Sequence, residues 1–165
     1  MSASSARPSA EPIVLTSGDA EATRALGAIL GRAAEPGDVV CLFGELGAGK
    51  TQLAKGIAAG LGVGDTVSSP SFVLMAEYEG RLPLFHVDLY RLADAADALA
   101  GGLIDDRQAF GMTVIEWAER LGDWLPASRL DLRIEGTGDG PRRLELRATD
   151  ARHGRLAAEA RQQAR

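Results

Sequence analysis

The stretch that most constrains the fold is Asp38 to Leu61, DVVCLFGELGAGKTQLAKGIAAGL, an apolar run, a glycine-rich turn and then a helical pattern. Within it Gly44-Glu45-Leu46-Gly47-Ala48-Gly49-Lys50-Thr51 fits GxxxxGK[ST] at every position. Three glycines let the backbone curl until its N–H groups face one concavity, and the following helix adds unpaired donors and the positive end of its dipole. Such a cup suits a polyphosphate. Gly44 to Thr51 and the adjoining Gln52 would hold it, with Lys50 a point charge on the β- and γ-phosphates and the Thr51 hydroxyl an oxygen for Mg2+. A chance glycine-rich turn would not be expected to carry a strand before it and a helix after it. Of 18 lysines and arginines only Lys50 and Lys55 are lysines, so an ammonium stands where this chain otherwise uses guanidinium.

A length of 165 residues, with 45% hydrophobic and 25% charged side chains, suits one globular domain with a real core. No apolar run reaches the 18 or so residues of a membrane span, and MSASSARPSAEP lacks the apolar centre of a signal peptide. The cytoplasm is therefore the expected compartment. Cys41 is the only cysteine and lies in the apolar run, where it is expected to pack as a small hydrophobe. One cysteine and two distant histidines make no zinc site. A net charge of −5 argues against independent binding to nucleic acid, which draws on clustered Lys and Arg. Arginines gather late, at Arg142, Arg143, Arg147, Arg152, Arg155, Arg161 and Arg165. Acidic residues interleave with most of them, and the pattern reads as a solvated face.

Residues 1–12 are rich in Ser, Ala and Pro and are expected to form a disordered arm ahead of a domain spanning 13–147. Ile13-Val14-Leu15 reads as an edge strand, and a helix follows from about 19 to 34 with Ala22, Leu26, Ile29, Leu30 and Ala33 on one face. Val39 to Phe43 suits a central strand covered on both faces, and the helix after the loop runs to about Leu61. In the SSPSF segment, Ser71 either reaches a γ-phosphate or metal or is a turn serine. Phe72 to Glu77 and Leu82 to Asp88 resemble hairpin partners. Asp88 ends the second run and either holds water near the phosphates or caps a helix beginning near Asp94. Met112 to Glu116 is a β-branched, apolar run ending in an acid. That is the Walker B pattern, in which a strand-tip carboxylate binds Mg2+; an ordinary strand-end acid is the alternative. Residues 118–121 form a short helix, residues 129–134 and 142–147 a hairpin, and 148–165 a C-terminal tail, helical or fraying.

A GTPase would normally carry an NKxD element, and this chain contains no asparagine, which favours ATP. With GELGAGKT at 44–51, SSPSF at 68–72, HVDLYRL at 86–92 and IEWAERL at 115–121, the chain resembles the TsaE (YjeE) family of bacterial ATPases over about residues 13–147. The resemblance implies a three-layer, P-loop NTPase-like α/β fold with a mixed, largely parallel sheet. It also implies Mg-dependent ATP hydrolysis in making tRNA threonylcarbamoyladenosine, together with TsaB and TsaD, and contact with tRNA only through those partners. Carried over by position, Gly44 to Thr51 would hold phosphates, Thr51 and Glu116 the metal, and Lys50, Asp88, Glu116 and Trp117 would be critical for activity. Ser71 stands where the family usually has threonine, and GLIDDRQAF departs from its usual GIxDYF-like stretch. A small nucleotide or metabolite kinase, or a module in which ATP only locks a shape, are the competing readings.

Overall fold

Two apolar runs, VVCLF and MTVIE, decide the architecture, because side chains that alternate across a strand and are apolar on both sides need cover on both faces. A computed structural model describes residues 11–68, 75–91 and 106–164 of the chain. In it the first run is β2 (Val39–Phe43) and the second is β5 (Met112–Glu116), adjacent and parallel in the middle of a seven-stranded sheet. The other strands are β1 (Ile13–Ser17), β3 (Met75–Tyr78), β4 (Leu84–Asp88), β6 (Leu130–Glu135) and β7 (Arg142–Ala148), in the order β1-β7-β6-β2-β5-β4-β3. The sheet is parallel through β6, β2, β5 and β4 and antiparallel at both edges.

Helices α1 (Ala20–Ala33), α2 (Lys50–Gly60) and α3 (Ala151–Gln163) cover one face. There Val40, Leu42, Met112 and Val114 of the central strands meet Leu30, Leu53, Ile57 and Leu156. Each large aliphatic side chain buried in this way contributes about 1.5–3 kcal/mol. Cys41, Phe43, Val87 and Ile115 point to the opposite face, beneath a 3-10 segment at Ala118–Trp124 that supplies Ala118 and Leu121. Burial pushes the Cys41 thiol far above its ordinary range, so it packs as expected and is no nucleophile.

The expected edge strand, first helix, central strand, phosphate-loop helix, β3–β4 hairpin and β6–β7 hairpin are all present. Asp19 caps α1 by accepting a hydrogen bond from the Ala22 N–H at 2.8 Å. Residues 1–10 of the expected arm, the helix expected over 94–100 and Ser71 lie outside the described residues.

Two expectations change. The segment expected from 148 as a tail, helical or fraying, is helical as α3 once Ala148 has completed β7, but it does not fray loose: its Leu156, Ala157 and Ala160 are buried in the main core. Nor do the late arginines make one solvated face. Arg143 and Arg147 do pair with Glu145 at the surface. By contrast Arg155 donates to Ala33 O at 2.6 Å and to Asp38 Oδ2 at 2.9 Å, and Arg152 donates to Pro36 O at 2.7 Å. These bonds tie α3 to the turn that launches β2.

His153 completes that tie. It is fully buried, its Nε2 accepts from the Val39 N–H at 3.0 Å, and its Nδ1–H donates to Asp150 Oδ1 at 2.8 Å. The two partners fix one neutral tautomer. His153→Ala would leave the Val39 N–H without an acceptor and open a hole beside it. We expect a loss of about 2–4 kcal/mol in denaturant unfolding. A change below about 0.5 kcal/mol, the size of a typical surface substitution, would contradict this role.

Candidate nucleotide-binding site

The loop between β2 and α2 bends where glycines permit it. Gly44 has φ +153°, and a Cβ there would meet Ile134 O of β6 at 2.7 Å, so neither the backbone angle nor the space admits a side chain. Gly49, with φ +114°, is the N-cap of α2. Within the loop the Ala48 N–H donates to Glu45 O at 3.0 Å. The result is a turn that ends on a helix N-terminus, the geometry that favours anions.

Lys50 opens α2 and is buried. Its Nζ donates to Gly44 O at 2.5 Å and Glu45 O at 2.9 Å, and lies 4.0 Å from the centre of the Trp117 ring. Burial lowers its pKa, an effect opposed by the carboxylates of Glu116, Glu119 and Asp88. The ammonium is thus held at the first turn of the loop, over an aromatic face.

Thr51, the next residue, reaches across to the neighbouring strand, where its Oγ1 donates to Glu116 Oε1 at 3.1 Å. The second oxygen of Glu116 accepts from His86 Nε2 at 2.5 Å. His86 is fully buried and its Nδ1 has no hydrogen-bond partner among the described residues. A neutral ring protonated on Nε2 suits both facts, leaving only a lone pair at Nδ1. Asp88 stands directly opposite Glu116 in the β4–β5 register, and its Oδ1 accepts from the Tyr90 N–H at 2.9 Å.

Trp117 is the one non-glycine residue with positive φ among those described (φ 58°, ψ 41°). A bulky residue in the left-handed region is strained and needs support from its surroundings. Its ring meets Tyr90 at 4.9 Å between centroids and covers Lys50.

Lys50, Thr51, Asp88, Glu116 and Trp117 therefore line one cleft of about 420 Å³, together with Leu46, Gly47, Gly49 and Gln52. A second cleft, of about 650 Å³, lies at Gly44, Glu45 and Leu46, between Trp117 and Glu119 and the end of β6. A third, of about 230 Å³, lies between the start of α1 and the β6–β7 loop and shares Gly47, Ala48, Gly49 and Gln52 with the loop. The second is the largest, but it lacks Lys50, Thr51, Asp88 and Glu116. Only the first brings Lys50, Thr51, Asp88 and Glu116 together.

Of the expected residues, Gln52 differs in detail. Its side-chain oxygen accepts from Arg24 Nη1 at 2.6 Å, so the amide is turned towards α1. Two contributors escaped the sequence reading. His86 had a readable signal, since two residues before Asp88 on one strand puts both on one face; Arg142, described below, had none. The donor set fits magnesium. Thr51 and Glu116 offer hard oxygens. Few protein ligands completed by phosphate and water are the usual magnesium arrangement.

Known proteins resemble the chain in sequence and in overall fold. A family model described as threonylcarbamoyl adenosine biosynthesis protein TsaE matches residues 17–144. The chain is 40% identical over 140 residues to the tRNA threonylcarbamoyladenosine biosynthesis protein TsaE of Bacillus subtilis, covering 84% of this chain and 87% of that one. It is 41% identical over 127 residues to the protein of the same name from Treponema pallidum, covering 77% and 94%. The crystal structure of Bacillus subtilis YdiB superposes with a TM-score of 0.76 at 33% identity, covering 94% of this chain and 97% of that one.

Proposed function

The chain belongs to the TsaE family of tRNA threonylcarbamoyladenosine biosynthesis proteins, and from that premise we propose that it is the Mg-dependent ATPase of that pathway. The observation that carries this reading is the Thr51–Glu116 hydrogen bond, which joins the phosphate-loop helix to the acid at the tip of the adjacent strand. Phosphoryl transfer is catalysed mainly by positioning and by charge stabilisation. Lys50 and the amides at the start of α2 would stabilise negative charge on the transferring group. Thr51 and Glu116 would hold magnesium, which supplies Lewis-acid charge neutralisation when bound. Both oxygens of Glu116 are already engaged by Thr51 and His86, which fits it to a fixed role, and Asp88 would orient the attacking water. Base and ribose would lie in the cleft between Asp19, Thr23 and the β6–β7 loop, next to Gln52.

The proposed partners are TsaB and TsaD, with tRNA met only through them, in keeping with a net charge of −5. Among the described residues no helix is long and apolar enough to cross a membrane; we propose a cytoplasmic location. The test is an ATPase assay on the purified chain with and without TsaB and TsaD. We expect slow hydrolysis alone and a marked rise with both partners. Phosphate transfer to small acceptors by the chain alone would favour a kinase instead.

A further inference from the structure

Arg142, the first residue of β7, lies far from the loop in sequence yet holds it in space. Its Nε donates to Ala48 O at 2.9 Å, and its Nη2 donates to Gly138 O at 2.7 Å and at longer range, 3.5 Å, to Gly47 O. Its Nη1 donates to Gly140 O at 2.5 Å. One guanidinium therefore bridges the phosphate loop and the β6–β7 loop entirely through main-chain carbonyls, with no carboxylate in ion-pair range among the described residues. Only a planar fork with five donors makes such a set.

Peptide geometry gives this strap a consequence. No peptide bond in the described structure is cis, and in a trans peptide the N–H points opposite to the C=O. Pinning Ala48 O on the guanidinium thus turns the Gly49 N–H away from Arg142. Gly47 and Gly49 both sit at positive φ, and glycines flanking a single alanine leave this peptide a wide choice of orientations unless something holds it. We propose that Arg142 is a positioning residue that pre-orients the Ala48–Gly49 amide, so that the loop meets a polyphosphate already shaped. This rests on the reading of the loop as a polyphosphate cradle.

The test uses the full chain and its Arg142→Met and Arg142→Lys variants, titrated calorimetrically with inorganic tripolyphosphate, ADP and ATP, with the melting temperature of each protein recorded. Tripolyphosphate has no base or ribose, so it reports the cradle alone. The expected result is a loss of roughly tenfold in affinity for all three ligands by the same factor in Arg142→Met, with little change in melting temperature, since order at the site and not the core has been removed. Arg142→Lys keeps stem and charge but lacks the fork, so it restores less than half of the loss on a logarithmic scale; it also decides the matter if the Met variant fails to fold. Unchanged tripolyphosphate binding with weakened ADP binding would overturn the inference in favour of direct contact with base or ribose. Equal binding by all proteins would reduce Arg142 to a brace for the hairpin. Failure of the unaltered chain to bind any of the three would overturn the functional reading itself, and this inference with it.

Discussion

Lys50→Ala is expected to abolish measurable nucleotide binding, while Glu116→Ala retains binding and loses turnover by a factor of about 10²–10³. The difference follows from what each side chain touches. The Lys50 ammonium bonds to the carbonyls of Gly44 and Glu45 at the mouth of the loop, so its charge would serve substrate and transition state alike. Glu116 touches the Thr51 hydroxyl and the buried His86, so its charge would act through metal and water. Because deleting Glu116 also strips His86 of its partner, Glu116→Gln is the cleaner variant. It removes the charge and can keep its oxygen towards the His86 N–H, with its new NH2 towards the Thr51 hydroxyl, which turns from donor to acceptor. It should raise the magnesium concentration needed for half-maximal activity while leaving the melting temperature near that of the parent. Binding and hydrolysis measured separately, across a magnesium titration, decide the matter; undiminished hydrolysis in either alanine variant would refute the assignment.

A second large effect on stability is expected where α1 and α2 cross. Gly27 and Gly31 of α1 face Gly56 and Gly60 of α2, and the backbones touch. A Cβ on Gly31 would meet Ile57 O at 2.2 Å, and one on Gly56 would meet Arg24 O at 2.1 Å. Elsewhere in a helix, glycine to alanine gains about 1 kcal/mol of propensity. Here the obstacle is main chain that cannot rotate aside, so the helices must separate and the clash outweighs the gain. We expect Gly31→Ala and Gly56→Ala each to cost about 3 kcal/mol and to lower the melting temperature by roughly 10 °C. Gly64→Ala, which meets nothing within 4 Å, is the control and should be nearly neutral. A melting temperature that rose in Gly56→Ala would sink this account. Since α2 also carries Lys50 and Thr51, both destabilised variants should bind nucleotide more weakly.

The phosphate loop, the acid of β5, the acid of β4 and the order of most elements were legible because their signals are local. The loop needs glycines at fixed spacing, and β2 and β5 are short apolar runs. Three things were not legible, for one shared reason. The glycine contact between α1 and α2 pairs residues some 25 positions apart, as Gly31 with Ile57 shows. The guanidinium of Arg142 serves Ala48, and His153 serves Val39. Each is a small or polar residue whose partner is a main-chain group on a distant element, and nothing in the side-chain pattern marks such a partner. The C-terminal helix was underestimated for a different cause. Its mean composition is polar, yet His153, Leu156, Ala157 and Ala160 recur on one face and are buried.

The sheet order carries a consequence for synthesis on the ribosome. β2 is flanked by β5 and β6, whose last residue is Glu135, and its first N–H is received by His153. The strand that launches the phosphate loop therefore stays without either neighbour while some seventy further residues are translated. Nascent-chain contacts of such long separation form slowly. A truncated transcript ending before β6 would release an exposed apolar strand, with Cys41 open to thiol reagents that the finished protein excludes.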